Sequence, residues 1–542
     1  MKELVDYIDI LWKEEGRSDA GAGSKDKESL SVLLDDLSVV LGDEKFMIRC
    51  EEVLSNTCDS DRIYSVTEED KESEPNRYIV PRAVDWEFYC RREGEAKTTC
   101  RNAEKCASCD ENTDLKWIVN EVRKDTEAKG NKIYVSEYKS IPERIRNMMY
   151  EHGLSLIREG KVAVVMLSGG DGSRLGYSGP KGTYPIGKIS KDSFFKIFCY
   201  KLRSLSRLVN REYTVPLYIM TSTNNDEKIR DYFEENSYFG IERGKVTFFK
   251  QDSVPSINLD NKSFFLESKY RLLKSPNGNG GVFGSMLKKG IIDDMEKRGV
   301  KYIFTHCIDN PLCKVCDPLF VGYTDLLHLQ VSTKTVVKKN KSEKIGTVLE
   351  KHSKNSNSYV PKIIEYSEIS GLKNCDEFKY GSVGIHIFSL EYVKYISNKD
   401  KLDYHTAVKK IKHYDVNNHT TVSPLNNNGV KLEMFIFDSF EFVTVPIHCI
   451  NVERNEFSPV KSNQGDNSPA NCQYAISDLN KSFIQKYSPE SNSKNFSAIY
   501  LEISPLVTYF GENLQMFSEV CSLRGRYIYI NDNSEVECYD EV

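Results

Sequence analysis

From residue 161 onward the chain alternates between short apolar runs and segments of helix length, and this alternation leaves few folds open. KVAVVML (161–167), PLYIMTS (216–222), KVTFFKQ (245–251), YIFTHCID (302–309) and TKTVVKK (333–339) read as strands. SFFKIFCYKLRSLSRLV (193–209), NNDEKIRDYFEEN (224–236) and GSMLKKGIIDDMEKRG (284–299) read as helices between them. Strands that are apolar on both faces need cover on both faces, and intervening helices supply it, so the pattern predicts an α/β domain with a mainly parallel sheet. Ligands of such sheets sit beyond the carboxyl ends of the strands. The segments that follow the first, third and fourth strands should therefore share one crevice.

The first of those segments, LSGGDGSRLGYSGPKGTYPIG (167–187), is built for a phosphorylated ligand. It is not a dinucleotide fingerprint, because Gly170 and Gly172 begin a G-x-G-x-x-G but Leu175 stands at its third glycine position. Nor is it a P-loop: Lys181 follows Pro180, and Gly182 comes after the lysine. What remains is G-G-x-G-S-R-L-G-x3-P-K. Its glycines let backbone N–H groups approach phosphate oxygens. Arg174 offers a planar donor fork, and Pro180 stiffens the backbone ahead of Lys181. The competing reading is a glycine-rich turn with surface charges.

The whole chain has 542 residues and a net charge of −6, so it carries no general basic field for nucleic acid, and any anion site must come from local cations. No apolar run approaches a membrane span, and the first residues lack the pattern of a signal peptide. A cytoplasmic protein is expected, and the odd total of 15 cysteines then reads as reduced thiols. Cys90, Cys100, Cys106 and Cys109 contain only one C-x-x-C, a weak zinc pattern. Residues 13–29 and 67–76 read as loops, 142–160 as a helix ending at Gly160, and 488–497 as a linker. Three units are expected: a mostly helical N-terminal domain with a loop-rich, cysteine-containing insert (1–155), a central α/β domain that carries the glycine loop (156–460) and a small C-terminal domain (461–542).

The glycine loop resembles that of the eukaryotic-type UDP-N-acetylhexosamine pyrophosphorylases and, more distantly, those of the UDP-glucose and UDP-sugar pyrophosphorylases. The likeness continues in order through FFKQDSVPSI (248–257), SPNGNGGVFGSM (275–286), CIDNPLCKVCDPLFVG (307–322), IIEYSEIS (363–370), GVKLEMFIFD (429–438), NEFSPVKS (455–462) and LEISPLVTYFGENL (501–514). It implies a Rossmann-like, GT-A-like nucleotidyltransferase fold with a mixed, mainly parallel sheet. It also implies Mg²⁺-assisted transfer of uridylate from UTP to N-acetylglucosamine 1-phosphate, releasing pyrophosphate. Such a transfer needs positioning and charge stabilisation more than covalent chemistry.

By this resemblance Leu167, Ser168, Gly169 and Gly170 hold the uridine end, Gln251 pairs with the uracil edge, and Gly278 lies against the base. Asn279 contacts ribose or sugar. Arg174 and Lys181 bind the triphosphate as the catalytic cations, with Lys431 and Lys461 as further phosphate-facing lysines. Asp309 would hold Mg²⁺, and its competing reading is a turn or cap aspartate. His306 and Cys307 read as packing groups. Glu365 and Tyr366 match residues that hold sugar hydroxyls. Lys379, Ser382 and Ile385 replace three asparagines of the family's sugar stretch, which leaves UDP-glucose or broad UDP-sugar synthesis as the alternative. A non-catalytic UDP-sugar-binding scaffold is the reading from another class. A monomer or weak homodimer is expected, with neither nucleic acid nor membrane as partner.

Overall fold

A computed structural model describes residues 78–90, 111–130, 132–209, 215–259, 263–340, 343–353, 358–365, 377–398, 402–416, 418–487, 498–523 and 526–541, with a few positions between 33 and 50. The loops expected at 13–29 and 67–76, the linker at 488–497, and Cys100, Cys106 and Cys109 lie outside the described residues.

The principal elements run β1 (Arg82–Ala83), α1 (Glu111–Ala128), β2 (Ile133–Glu137), α2 (Glu143–Arg158), β3 (Val162–Leu167), α3 (Phe194–Leu208), β4 (Leu217–Thr221), α4 (Asp226–Glu235) and β5 (Val246–Lys250). After these come α5 (Val282–Lys288), α6 (Ile291–Lys297), β6 (Tyr302–Cys307), α7 (Pro318–Leu326), β7 (Val331–Val337), β8 (Thr347–Ser353), β9 (Ser358–Ile364), β10 (Tyr380–Ser389), α8 (Leu390–Ser397) and β11 (Ile447–Asn451). The chain closes with α9 (Pro469–Gln485), β12 (Tyr500–Ile503), β13 (Tyr527–Ile530) and β14 (Val536–Tyr539).

The central sheet has the order β1-β2-β11-β7-β10-β6-β3-β4-β5, with β8 and β9 branching from β10. Along this path only β10 opposes its neighbours, β6 and β7, and every other pairing is parallel. The apolar runs explain the burial. Val162, Val164 and Met166 of β3 enter one core, and Ala163, Val165 and Leu167 enter the core on the opposite face. Helices cover both faces, as continuous apolar strands require. β2 precedes the boundary expected at residue 156 and α2 runs across it, and Tyr134, Ile145 and Met149 pack in the same core as β3.

The expected helix 284–299 is two helices. Gly290, at φ +68°, ends α5 and turns the chain into α6, a left-handed position that glycine adopts without a Cβ penalty. The strand read at 333–339 begins two residues earlier, at Val331. Ser193 caps α3 by accepting from the Lys196 N–H, and Asp317 caps α7 through the Leu319 N–H, with Pro318 in the first turn. None of the described helices is long and apolar enough to cross a membrane.

The C-terminal elements share a core of Leu479, Phe483, Leu501, Ile528 and Ile530, which also takes Leu312 from the segment after β6. This unit grips the stretch downstream of the glycine loop. The Glu502 carboxylate accepts from the Ile189 N–H (2.8 Å) and the Ser190 hydroxyl, and Gln473 Nε2 donates to the Ile186 carbonyl (3.1 Å).

Helices α2 and α7 cross almost backbone on backbone. A Cβ at Gly153 would lie 1.8 Å from the Pro318 carbonyl oxygen, and one at Gly322 would lie 1.8 Å from that of Met149. Gly153→Ala should therefore force the helices apart and cost about 3 kcal/mol, read as a lower urea midpoint. Gly284→Ala, in α5 where nothing stands within 4 Å of the new Cβ, should leave the midpoint unchanged or raise it.

Candidate active site

The glycine loop leaves the carboxyl end of β3 and folds back on itself. The Gly172 N–H donates to the Gly179 carbonyl (3.0 Å) and the Lys181 N–H to the Gly170 carbonyl (3.2 Å), while Asp171 and Pro180 form an isolated bridge. Tyr177 fills the inside of the turn, and a Cβ at Gly172 or Gly179 would meet its ring at under 3 Å. The turn at Lys181–Thr183 then rests on α3, because a Cβ at Gly182 would strike the Phe195 ring at 2.2 Å. The backbone is thus seated from below before it presents any side chain.

Lys181 is only 8% exposed. Its amine lies 3.8 Å from Asp309 Oδ2, just past the end of β6. Burial, opposed by Asp309, pushes the Lys181 pKa down, and Arg174 and Lys461 push it further in the same direction. One cation therefore stands against a carboxylate, and two further cations lie within its electrostatic reach. The Lys461 segment is lashed to the end of β6. The Val460 N–H donates to the Asp309 carbonyl (2.9 Å), and the Asn463 N–H donates to that of Arg174 (3.2 Å). Cations outnumbering the anion they surround is the electrostatic form of an anion site.

Beside it, the ends of β3 and β5 and the turn at Gly278 bring further polar groups together. Gln251, at the end of β5, is 7% exposed and packs against Gly169 so closely that a Cβ there would come within 2.6 Å of Gln251 Nε2. Gly278 closes another side at φ +86° and ψ 169°, and a Cβ there would lie 2.3 Å from the Met434 carbonyl oxygen. Only glycine accepts both conditions. Asn279 Oδ1 accepts from the Ile436 N–H (2.9 Å). The Ser168 hydroxyl and Asn277 Oδ1 are buried and find no hydrogen-bond partner among the described residues.

A family model described as UTP–glucose-1-phosphate uridylyltransferase matches residues 108–504. UDP-N-acetylglucosamine pyrophosphorylase of Saccharomyces cerevisiae is 33% identical over 421 residues, covering 74% of this chain and 86% of that protein. UDP-N-acetylglucosamine diphosphorylase 1 of Arabidopsis thaliana is 33% identical over 68% of this chain and 75% of its own length. The crystal structure of the uridine diphosphate N-acetylglucosamine pyrophosphorylase from Trypanosoma brucei, in complex with an inhibitor, superposes with a TM-score of 0.65 at 26% identity, covering 81% of this chain and 94% of that one. The chain belongs to the UTP–glucose-1-phosphate uridylyltransferase family.

Within this uridylyltransferase, the residues expected from sequence fall into three groups. Arg174, Lys181, Asp309 and Lys461 form the cation cluster, and Leu167, Ser168, Gly169, Gly170, Gln251, Gly278 and Asn279 line the neighbouring strand ends and turns. Lys431 sits on the strand Gly429–Glu433 opposite Ala407, three residues before the Met434 backbone that abuts Gly278. Glu365 follows β9. A side chain at Gly346 would come within 3.7 Å of Glu365 Oε1, and the Gly346 carbonyl accepts from the Ser382 N–H (2.8 Å). Tyr366 lies outside the described residues. His306 packs on the Phe198 ring, with centroids 4.5 Å apart, and burial lowers its pKa to about 4. The Cys307 thiol is pushed up to about 12 by burial.

Two residues that sequence reading passed over shape the site. Asn225 begins α4 but does not cap it. Its Oδ1 accepts from the Ser222 N–H (2.8 Å), and its Nδ2 reaches back to the carbonyls of Ser168 (3.2 Å) and Gly170 (3.4 Å). Asn310 donates to the Glu456 carbonyl (2.9 Å) and accepts from the Ser458 N–H (3.0 Å). An asparagine directly after a strand or at a helix start was the available signal in both cases, and both read as ordinary turn chemistry. Asn225→Ala should loosen the glycine loop without unfolding the sheet. Amide exchange at 168–172 should rise about tenfold or more, which the loss of ~1.4 kcal/mol of local protection would give, while β3 stays protected.

Proposed function

We propose that this chain forms UDP-N-acetylglucosamine and pyrophosphate from UTP and N-acetylglucosamine 1-phosphate. The single observation that carries the reading is the buried Lys181 amine, 3.8 Å from Asp309 at the carboxyl ends of the parallel strands, with Arg174 and Lys461 within its electrostatic reach. The names of the yeast and Arabidopsis relatives support the acetamido sugar as acceptor.

In this reading a phosphate oxygen of the sugar 1-phosphate attacks the α-phosphorus of UTP. One new P–O bond forms there as the bond to the bridging oxygen of pyrophosphate breaks, and no proton need move in that step. Lys181 stabilises charge on the α-phosphoryl oxygens, helped by its burial, since a cation in a water-poor site acts more strongly. Arg174 binds the departing phosphates and Lys461 the incoming sugar phosphate. Gln251 offers both a donor and an acceptor to the uracil edge. The partnerless Ser168 hydroxyl and Asn277 oxygen suit a polar base.

A divalent ion fits at Asp309. No cluster of three His, Cys, Asp or Glu side chains able to hold a metal occurs among the described residues. One hard carboxylate oxygen beside phosphates suits Mg²⁺, which keeps water and phosphate in most of its coordination positions. When bound, Mg²⁺ would supply charge neutralisation for the phosphates.

Glucose 1-phosphate is the second reading, favoured by the half-buried Ser382 in the stretch where the family carries asparagines. The cytoplasm is the proposed compartment, a reading that the free thiols among the described residues support.

Pyrophosphate release with UTP, Mg²⁺ and each sugar phosphate tests the proposal. Turnover should favour the acetamido sugar, and Lys181→Ala should lower kcat on the order of 100-fold or more. Absence of turnover with either sugar, despite UDP-sugar binding, would leave the scaffold reading. The lowered Lys181 pKa also fixes a sign: the amine loses its charge at a lower pH than an ordinary lysine. kcat/KM for UTP in the free enzyme should therefore fall on the alkaline side before the usual lysine range. Lys181→Arg, which keeps its charge, should move that limb upward.

A further inference from the structure

Lys334 lies in the middle of β7 and is 1% exposed, yet it carries an amine among charged partners. Its Nζ donates to Asp317 Oδ2 (2.7 Å) and to Glu456 Oε2 (2.6 Å). Lys314 Nζ stands 3.3 Å from Asp317 Oδ1, so two ammonium groups balance two carboxylates. These pairings overcome burial, holding the Lys334 pKa up and that of Asp317 down. A buried ion pair adds little stability compared with well-packed apolar groups, so stability alone does not account for it.

Its location does. Glu456 ends the short turn Arg454–Glu456, and the chain then runs through Phe457 to Lys461. Asn310 holds the Glu456 carbonyl and the Ser458 N–H, and the Asp309 carbonyl holds the Val460 N–H. Lys461 emerges one residue after the last of these bonds. At its other end, Lys334 occupies the point where the β7–β10 ladder shifts register between Thr333 and Thr335, opposite Val383–Ile385. One buried amine thus ties the interior of the sheet to the strap that carries Lys461.

We propose that Lys334 is a positioning residue for uridylyl transfer. Acting through Glu456, it fixes where the Lys461 amine stands relative to Lys181 and Asp309. The inference rests on the reading of Lys461 as a phosphate-binding cation.

The test uses the full-length chain with Glu456→Ala, Lys461→Ala and the double variant. Glu456→Ala leaves Lys334 paired with Asp317, so folding should survive where Lys334→Met could fail, and an unchanged thermal midpoint checks this. Glu456→Ala should lower kcat about 10-fold, and Glu456→Gln, which keeps an acceptor for the amine, should recover most of it. The double variant should be no more than about 2-fold slower than Lys461→Ala, because residues acting as one unit are not additive. A kcat unchanged in Glu456→Ala, or penalties that multiply in full, would overturn the positioning role while sparing the reading of Lys461. Lys461→Ala with unchanged kinetics would overturn that reading and the inference with it.

Discussion

A buried lysine stands against one aspartate within electrostatic reach of two further cations, and the structure around it is arranged to tolerate them. Lys181 is held where burial already disfavours its charge, and Arg174 and Lys461 add to the strain. Such a cluster is costly in an unliganded protein and stays in place only if the backbone beneath it cannot relax. Each attachment of the loop can be understood in this way. Phe195 supports the Lys181 turn, Tyr177 fills the hairpin ahead of it, Asn225 holds the carbonyls at its start, and Glu502 grips the chain after it. The C-terminal unit thereby becomes part of the scaffold of a site that it does not itself line.

The sheet and its helices were legible because both periodicities are strong. Every strand and helix read from residue 161 to 339 exists, and the one misjudged helix broke at Gly290, whose left-handed conformation only the folded chain reveals. The convergence of the glycine loop with the segments after the third and fourth strands followed from the carboxyl-end rule alone, whereas Gln251 itself was singled out by the resemblance. Lys431 and Lys461 were beyond that rule. A lysine far along the chain has no local pattern, and only the resemblance singled these two out. Asn225 and Asn310 were hidden for the opposite reason, because a turn reading explained them fully. What distinguishes them is the direction of a carboxamide, which is a tertiary property.

The reversed strand β10 clarifies the sugar stretch. Because β10 opposes β6, its second half runs alongside β6, with Ile385 opposite His306, and its first half extends beyond the carboxyl end of β6, at the same end of the sheet as the glycine loop. Of the three positions that depart from the family's asparagines, Ile385 is 1% exposed and packs in the core. Lys379 is exposed, with its amine 5.0 Å from the Tyr380 ring centroid. Ser382 is the half-buried one, joined by backbone to Gly346 beside Glu365. The three substitutions are therefore not equivalent. An isoleucine in the core replaces polarity with packing and does not reach a ligand, so any change of sugar preference has to be argued from Ser382.

The register shift gives that argument its physical basis. Between the pairs Thr333–His386 and Thr335–Ser382, β10 carries two more residues than β7, so Val383, Gly384 and Ile385 bulge out of the ladder. A bulge re-aims side chains near a site at modest cost. Gly384, at φ +69°, lies where a Cβ would approach Cys307 Sγ at 3.6 Å, two residues before Asp309. Lys334 occupies the same break from the β7 side. The irregularity that orients the sugar stretch and the ion pair that holds the Lys461 strap thus arise at one point in the sheet. On the proposed reading of Ser382 and Lys461, the acceptor's sugar and its phosphate are positioned from this common origin, so a change that reshapes the break would disturb both.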